Sequence, residues 1–145
     1  MRAFLCLILC CLTTPLYAEF GERPSRAAEW LMDEQVGLGC EGRGGRFEGG
    51  FFETDLDGDG RNDLVLSHEG ITCNAAPSRS LFCGAQACSV LIYLRRGKLL
   101  QKVDEALGMQ VQVSDDARPV IRMFGHGGTP HAIAWTGTGF AEIGQ

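Results

Sequence analysis

Behind Met1-Arg2 the chain begins with an unbroken apolar run from Ala3 to Leu12, which Thr13-Thr14-Pro15-Leu16-Tyr17-Ala18 then interrupts with polar and helix-ending residues. A charged start, a short apolar stretch and a small final residue form the pattern of a secretory signal peptide, so residues 1–18 are expected to be removed after Ala18. The run is about half the ~20 residues that a membrane-spanning helix requires, and no membrane attachment is expected after cleavage. Residues 19–145 are expected to form one exported domain, periplasmic or secreted.

The next pattern is helical. Pro24-Ser25 offers a start, Ala27, Ala28, Leu31 and Met32 share one face, and Arg26, Glu29, Asp33 and Glu34 share the other. Trp30 lies at the edge of the apolar stripe as a packing residue, and Gly37 and Gly39 are expected to end the helix. Beyond Cys40 the period shortens. Phe47, Phe51, Phe52 and Thr54 precede an acidic loop, and Leu64-Val65-Leu66 follows it, so the loop joins two strands. Residues Gly70 to Gly84 carry little periodicity and read as a surface connection. Strand-like runs then recur at Ser89–Leu94, Leu99–Val103, Met109–Val113, Val120–Phe124, Ala132–Trp135 and Phe140–Ile143. Their spacing predicts an antiparallel meander, with Met109-Gln-Val-Gln-Val113 alternating between core and water and Trp135 and Phe140 facing each other across a closing hairpin. The expected fold class is α+β, one N-terminal amphipathic helix packed on a mainly antiparallel β-meander and stapled by disulfides.

Composition sharpens this picture. Twenty Gly against 5 Pro in 145 residues favours short strands and tight turns over a helical bundle. The formal charge is −5, and removal of Arg2 with the leader leaves 12 cations against 18 anions, a formal −6. Such a surface lacks the clustered cations that nucleic-acid affinity requires, and Arg95-Arg96-Gly97-Lys98 is only a basic turn. Three of the seven cysteines, Cys6, Cys10 and Cys11, leave with the signal, while Cys40, Cys73, Cys83 and Cys88 remain. Four cysteines allow three pairings. Local closure of Cys83 with Cys88 would leave Cys40 with Cys73, and the competing zinc site lacks a second close Cys or His pair.

One constellation carries specific chemistry. Asp55-Leu-Asp57-Gly-Asp59-Gly60-Arg61-Asn62-Asp63 sets carboxylates at loop positions 1, 3, 5 and 9, a glycine at position 6 and a main-chain carbonyl at position 7. Calcium takes six to eight oxygen ligands, and alternate residues on a tightly turning chain can aim oxygens at one centre. Four aspartates this close repel one another unless a cation converts the repulsion into coordination. The competing reading is an Asp-Gly turn whose carboxylates face water.

The segment resembles the D-x-D-G-D-G-x-x-D loops of EF-hands, dockerins, thrombospondin-type repeats and the FG-GAP repeats of β-propellers. The resemblance is limited to about residues 51–66. Asp-Leu-Asp-Gly-Asp-Gly-Arg-Asn-Asp-Leu-Val-Leu is most similar to an FG-GAP-type strand–loop–strand unit. It departs from an EF-hand in carrying Leu66 at position 12, where that family has a bidentate Glu, and in its extended flanks. A single copy does not make a propeller. Matched residue by residue, the resemblance implies Ca²⁺ held by Asp55, Asp57, Asp59, Asp63 and the Arg61 carbonyl, in a small exported domain of bacterial type.

Catalysis is not expected. Ser67-His68-Glu69 on a strand puts Ser and Glu on the face opposite His, so adjacency makes no triad. His126 and His131 lie in a glycine-rich turn, a glycosidic carboxylate pair of Glu53 with the loop aspartates is set aside because calcium explains the aspartates better, and paired cysteines are not nucleophiles. Two functional classes stand. The first is an exported calcium-binding domain with a structural ion and an unidentified protein or cell-envelope partner. The second is a periplasmic interaction protein, an inhibitor or immunity-type binder of a cationic hydrolase, with no functional metal, whose acidic charge steers association.

Overall fold

The computed structural model describes residues 23–144, so the expected signal peptide lies outside the described residues. Helix α1 spans Arg26–Gly39. Ser25 caps it: its backbone is extended and its Oγ accepts the Ala28 N–H at 3.3 Å, satisfying a donor that the first turn leaves free. Ala28, Leu31, Gln35, Val36 and Gly39 form the buried face. The helix passes through Gly37 and ends at Gly39, the second of the two glycines expected to stop it. Gly39 also has a packing role, since a Cβ there would lie 2.5 Å from Ser80 Oγ. Trp30 is not a packing residue; it is 64% exposed, on the solvent side of the helix.

Nine strands follow among the described residues. β1 (Gly45–Phe47) pairs with β4 (Ile71–Cys73) in a small antiparallel ribbon. The other seven form one antiparallel sheet in the order β2 (Phe51–Thr54), β3 (Asp63–Ser67), β5 (Cys88–Arg96), β6 (Leu99–Val113), β7 (Val120–Phe124), β8 (Pro130–Trp135) and β9 (Phe140–Glu142). The meander thus holds, with one correction: the two runs read as separate at 99–103 and 109–113 are one strand. The first part of β6 pairs with β5, and the part from Met109 onward pairs with β7. The strand bends at a register irregularity instead of stopping, with Gln110 at φ 53° and its N–H donated to Glu69 Oε2 at 2.6 Å.

The sheet buries both faces of its central strands, which explains the continuous apolar runs in β3 and β5. On one face Leu64, Leu66, Leu91 and Tyr93 pack with Ala28 and Leu31 of α1. On the other, Val65, Val90, Ile92 and Leu94 meet Val111, Ile121 and Met123, so the later strands curl over the earlier ones to close a second core. Trp135 lies opposite Phe140 in register, their rings 5.4 Å apart edge to face.

Two disulfides join described residues: Cys40–Cys73, which ties the end of α1 to β4, and Cys83–Cys88, which closes a short loop. They are consistent with an oxidising environment outside the cytosol, and no described helix is long and apolar enough to cross a membrane. The connection after β3 is less peripheral than its sequence suggests. Ile71, Cys73 and Ser80 are buried within it, and His68 opens a 3₁₀ turn, His68–Gly70, instead of continuing a strand.

Candidate metal centre

The acidic loop hangs between β2 and β3, whose antiparallel register runs from Phe51 opposite Leu66 to Thr54 opposite Asp63. Two features of the sequence shape it. Gly58 and Gly60 take φ values of 79° and 83°, which residues with a Cβ rarely adopt. The Asp55 carboxylate then gathers the turn, accepting N–H from Gly58 (2.8 Å), Asp59 (3.0 Å) and Gly60 (2.7 Å). Leu56 is the hydrophobic anchor, buried in the core beneath the loop.

Asp63 closes the loop from the other side. It is fully buried at the start of β3, with Oδ2 accepting the Leu56 N–H at 2.8 Å and Oδ1 the Arg95 N–H at 2.6 Å. Burial pushes its carboxyl above the usual aspartate range against these hydrogen bonds, which pull it down. Asp55, Asp57 and Asp63 each offer an oxygen, and these oxygens lie within 4.8 Å of one another. The loop has thus brought its first, third and ninth positions together.

Asp59 stands outside that group. Arg61 holds it through Nε at 3.1 Å and Nη2 at 2.5 Å, and these hydrogen bonds lower the Asp59 pKa. The Arg61 main-chain N–H also donates to Asp59 Oδ1, at 3.0 Å.

The basic pair at the end of β5, read from sequence as a turn, is part of the site. Arg96 Nη1 donates to Asp57 Oδ2 at 2.8 Å and lies 3.7 Å from Asp59. Arg95 donates from Nε to the Asn62 carbonyl at 2.7 Å and from Nη2 to Ser25 Oγ at 3.2 Å, and it lies 3.6 Å from Glu53. Glu53 in turn accepts the Ser25 N–H at 2.6 Å and its hydroxyl at 2.5 Å. Glu53 therefore ties the helix cap to β2. The signal for this clamp was present as two arginines followed by a glycine, but its target lies more than thirty residues away, across a strand pairing.

The histidines do not assemble a metal site among the described residues. His68 is buried, with Nδ1 2.9 Å from Ser80 Oγ and Nε2 3.2 Å from Gln35 Oε1. His131 Nδ1 meets Glu142 at 2.6 Å, and His126 is exposed. The four described cysteines are disulfide-bonded, which removes them as thiolate ligands. The centre consequently offers hard carboxylate oxygens only, a set suited to calcium, magnesium or manganese over zinc or copper. No protein-family model, curated protein or solved structure matches the chain.

Proposed function

We propose that this is an exported, non-enzymatic calcium-binding domain in which the aspartate loop coordinates Ca²⁺ as a structural tie between β2 and β3. The observation that carries the reading is the convergence of Asp55, Asp57 and Asp63 oxygens within 4.8 Å, from both ends of one loop. The Arg61 carbonyl, water and Asp59, once released from Arg61, complete the shell. With no acid at position 66, affinity falls near the ~10⁻⁴ to 10⁻³ M of extracellular modules, appropriate to a structural ion outside the cell. Ion binding to the folded state alone adds stability by mass action, about 2.7 kcal/mol at a hundredfold excess over Kd.

The test is thermal unfolding of the oxidised protein in chelator, in 10 mM magnesium and in 10 mM calcium, beside Asp57→Asn. A rise of about 5 to 10 °C specific to calcium and lost in the variant is expected. Coincident curves in all three buffers would reduce the loop to a turn held by its own arginines.

A further inference from the structure

A cleft of about 450 Å³ opens beside the aspartate loop, within the ~300 to 1,000 Å³ usual for small-molecule sites. Three separate segments wall it, and each contributes one distinctive side chain. The β2–β3 loop brings Asp57, the β6–β7 loop brings Arg118, and the end of β8 brings Trp135. Gly58 and Gly137 line it without side chains, so it stays open.

The three groups differ in what they can accept. Trp135 packs against the core and against the Phe140 ring, so its indole is held in place at the wall. Among the described residues neither its indole N–H nor the Arg118 guanidinium has a hydrogen-bond or ion-pair partner. Pro119, buried next to Arg118, fixes the path of the chain from which that guanidinium projects. Asp57 brings a nearly buried carboxylate that accepts from Arg96 on Oδ2 at 2.8 Å and from the Asp59 N–H on Oδ1 at 3.3 Å, and each oxygen retains a second lone pair.

We propose that the cleft binds a uronic acid residue, a saccharide ring that carries a carboxylate. The carboxylate pairs with the Arg118 fork, the polarised C–H face of the ring lies on the electron-rich indole face, and ring hydroxyls donate to Asp57. A neutral sugar leaves Arg118 without its anion, and an aromatic acid brings no hydroxyl to Asp57. The proposal does not rest on the calcium reading, because Asp57 accepts hydroxyl hydrogens whether an arginine or a metal ion offsets its charge.

The experiment uses Trp30→Phe, which removes the exposed one of the two tryptophans and leaves Trp135 as the reporter. Its fluorescence is titrated with digalacturonate and with neutral galactose, in chelator and again in millimolar calcium. A saturable change with digalacturonate alone is expected. Arg118→Ala in the same background should weaken it about tenfold or more while leaving the melting midpoint unchanged, since that side chain holds nothing in place. Absence of saturation in both buffers, an equal response to galactose, or unchanged affinity in Arg118→Ala would overturn the proposal. Failure of the calcium reading is distinguishable, since it shows as calcium-insensitive melting with the uronate titration intact.

Discussion

Two polar residues lie at opposite ends of β3, each sealed from solvent, and they solve the problem of burial in different ways. His68, just past the last residue of the strand, stays neutral. Gln35 Oε1 accepts from its Nε2, the Ser80 hydroxyl donates to Nδ1, and Ser80 Oγ accepts the Phe82 N–H at 3.2 Å, so both ring nitrogens are matched by neutral partners. Burial drives the His68 pKa down to about 4, with Glu105 opposing. Asp63, the first residue of the strand, has only main-chain N–H donors on its two oxygens and two more aspartates nearby. One end of the strand, that of His68, holds no charge, and its one unmatched buried polar atom among the described residues is the neutral Ser67 hydroxyl. The other concentrates charge that arginines from β5 and the loop itself offset only in part, and that end is where a cation has something to gain.

The sharpest way to separate the two ends is to remove the Cys40–Cys73 link, which staples α1 to β4 beside the His68 cluster. In the chain-entropy account, opening a loop with a sequence separation of 33 costs about 3 to 4 kcal/mol. Cys40→Ala with Cys73→Ala is therefore expected to lower the melting midpoint strongly in chelator and in calcium alike. The calcium increment itself should survive. Loss of the increment together with the midpoint would show that the two ends of β3 act as one unit.

Acidification acts next, with opposite signs at the two ends. His68 has a folded pKa below its unfolded one, so the unfolded chain binds the extra proton. Its contribution is intact above about pH 6.5 and is lost as pH falls toward 4, amounting to about 2 kcal/mol between pH 7 and 5. Asp63, whose folded pKa is raised, favours the folded state as it takes up a proton, and so opposes that loss. Denaturant unfolding of the protein and of His68→Gln across this range checks the sign. The variant should be less stable at pH 7 and nearly flat through pH 5, and a parallel decline in both would place the acid sensitivity elsewhere.

How much of this was legible in the sequence depends on the range of the interaction. The helix face, the β2–loop–β3 unit, the closing Trp135–Phe140 hairpin and the disulfide pairing all follow from local period, turn residues or loop size, and each appears in the structure. The continuity of β6 is not visible in the sequence, because Asp104 to Gly108 reads as a turn, whereas pairing with β5 carries the strand through it. By sequence His68 reads as a strand residue, and nothing nearby announces Gln35 and Ser80, which arrive from α1 and from the disulfide-pinned segment. In the loop, the local rule anticipated Asp55, Asp57 and Asp63 together but also placed Asp59 with them. Arg61, two residues on, holds Asp59 away from the group, a competition that carboxylate spacing alone does not reveal.

The smallest effect bears most directly on the charged end of β3. Arg96 occupies Asp57, whose side chain is only 7% exposed, so in the absence of metal it supplies the counter-charge that a calcium ion would supply. Under the calcium reading proposed above, the two cations compete for one carboxylate. Arg96→Ala should therefore lower stability in chelator by about 1 kcal/mol, more than an exposed pair because the Asp57 side chain is nearly buried and less than a buried pair because Arg96 is 41% exposed, and at the same time strengthen calcium binding. Calorimetric titration of both proteins with calcium, set beside their melting curves in chelator, reads the two quantities independently. A stability loss with no gain in affinity would mean that Arg96 braces the loop without contesting the ion, and the loop would then owe its shape to its own main-chain hydrogen bonds around Asp55.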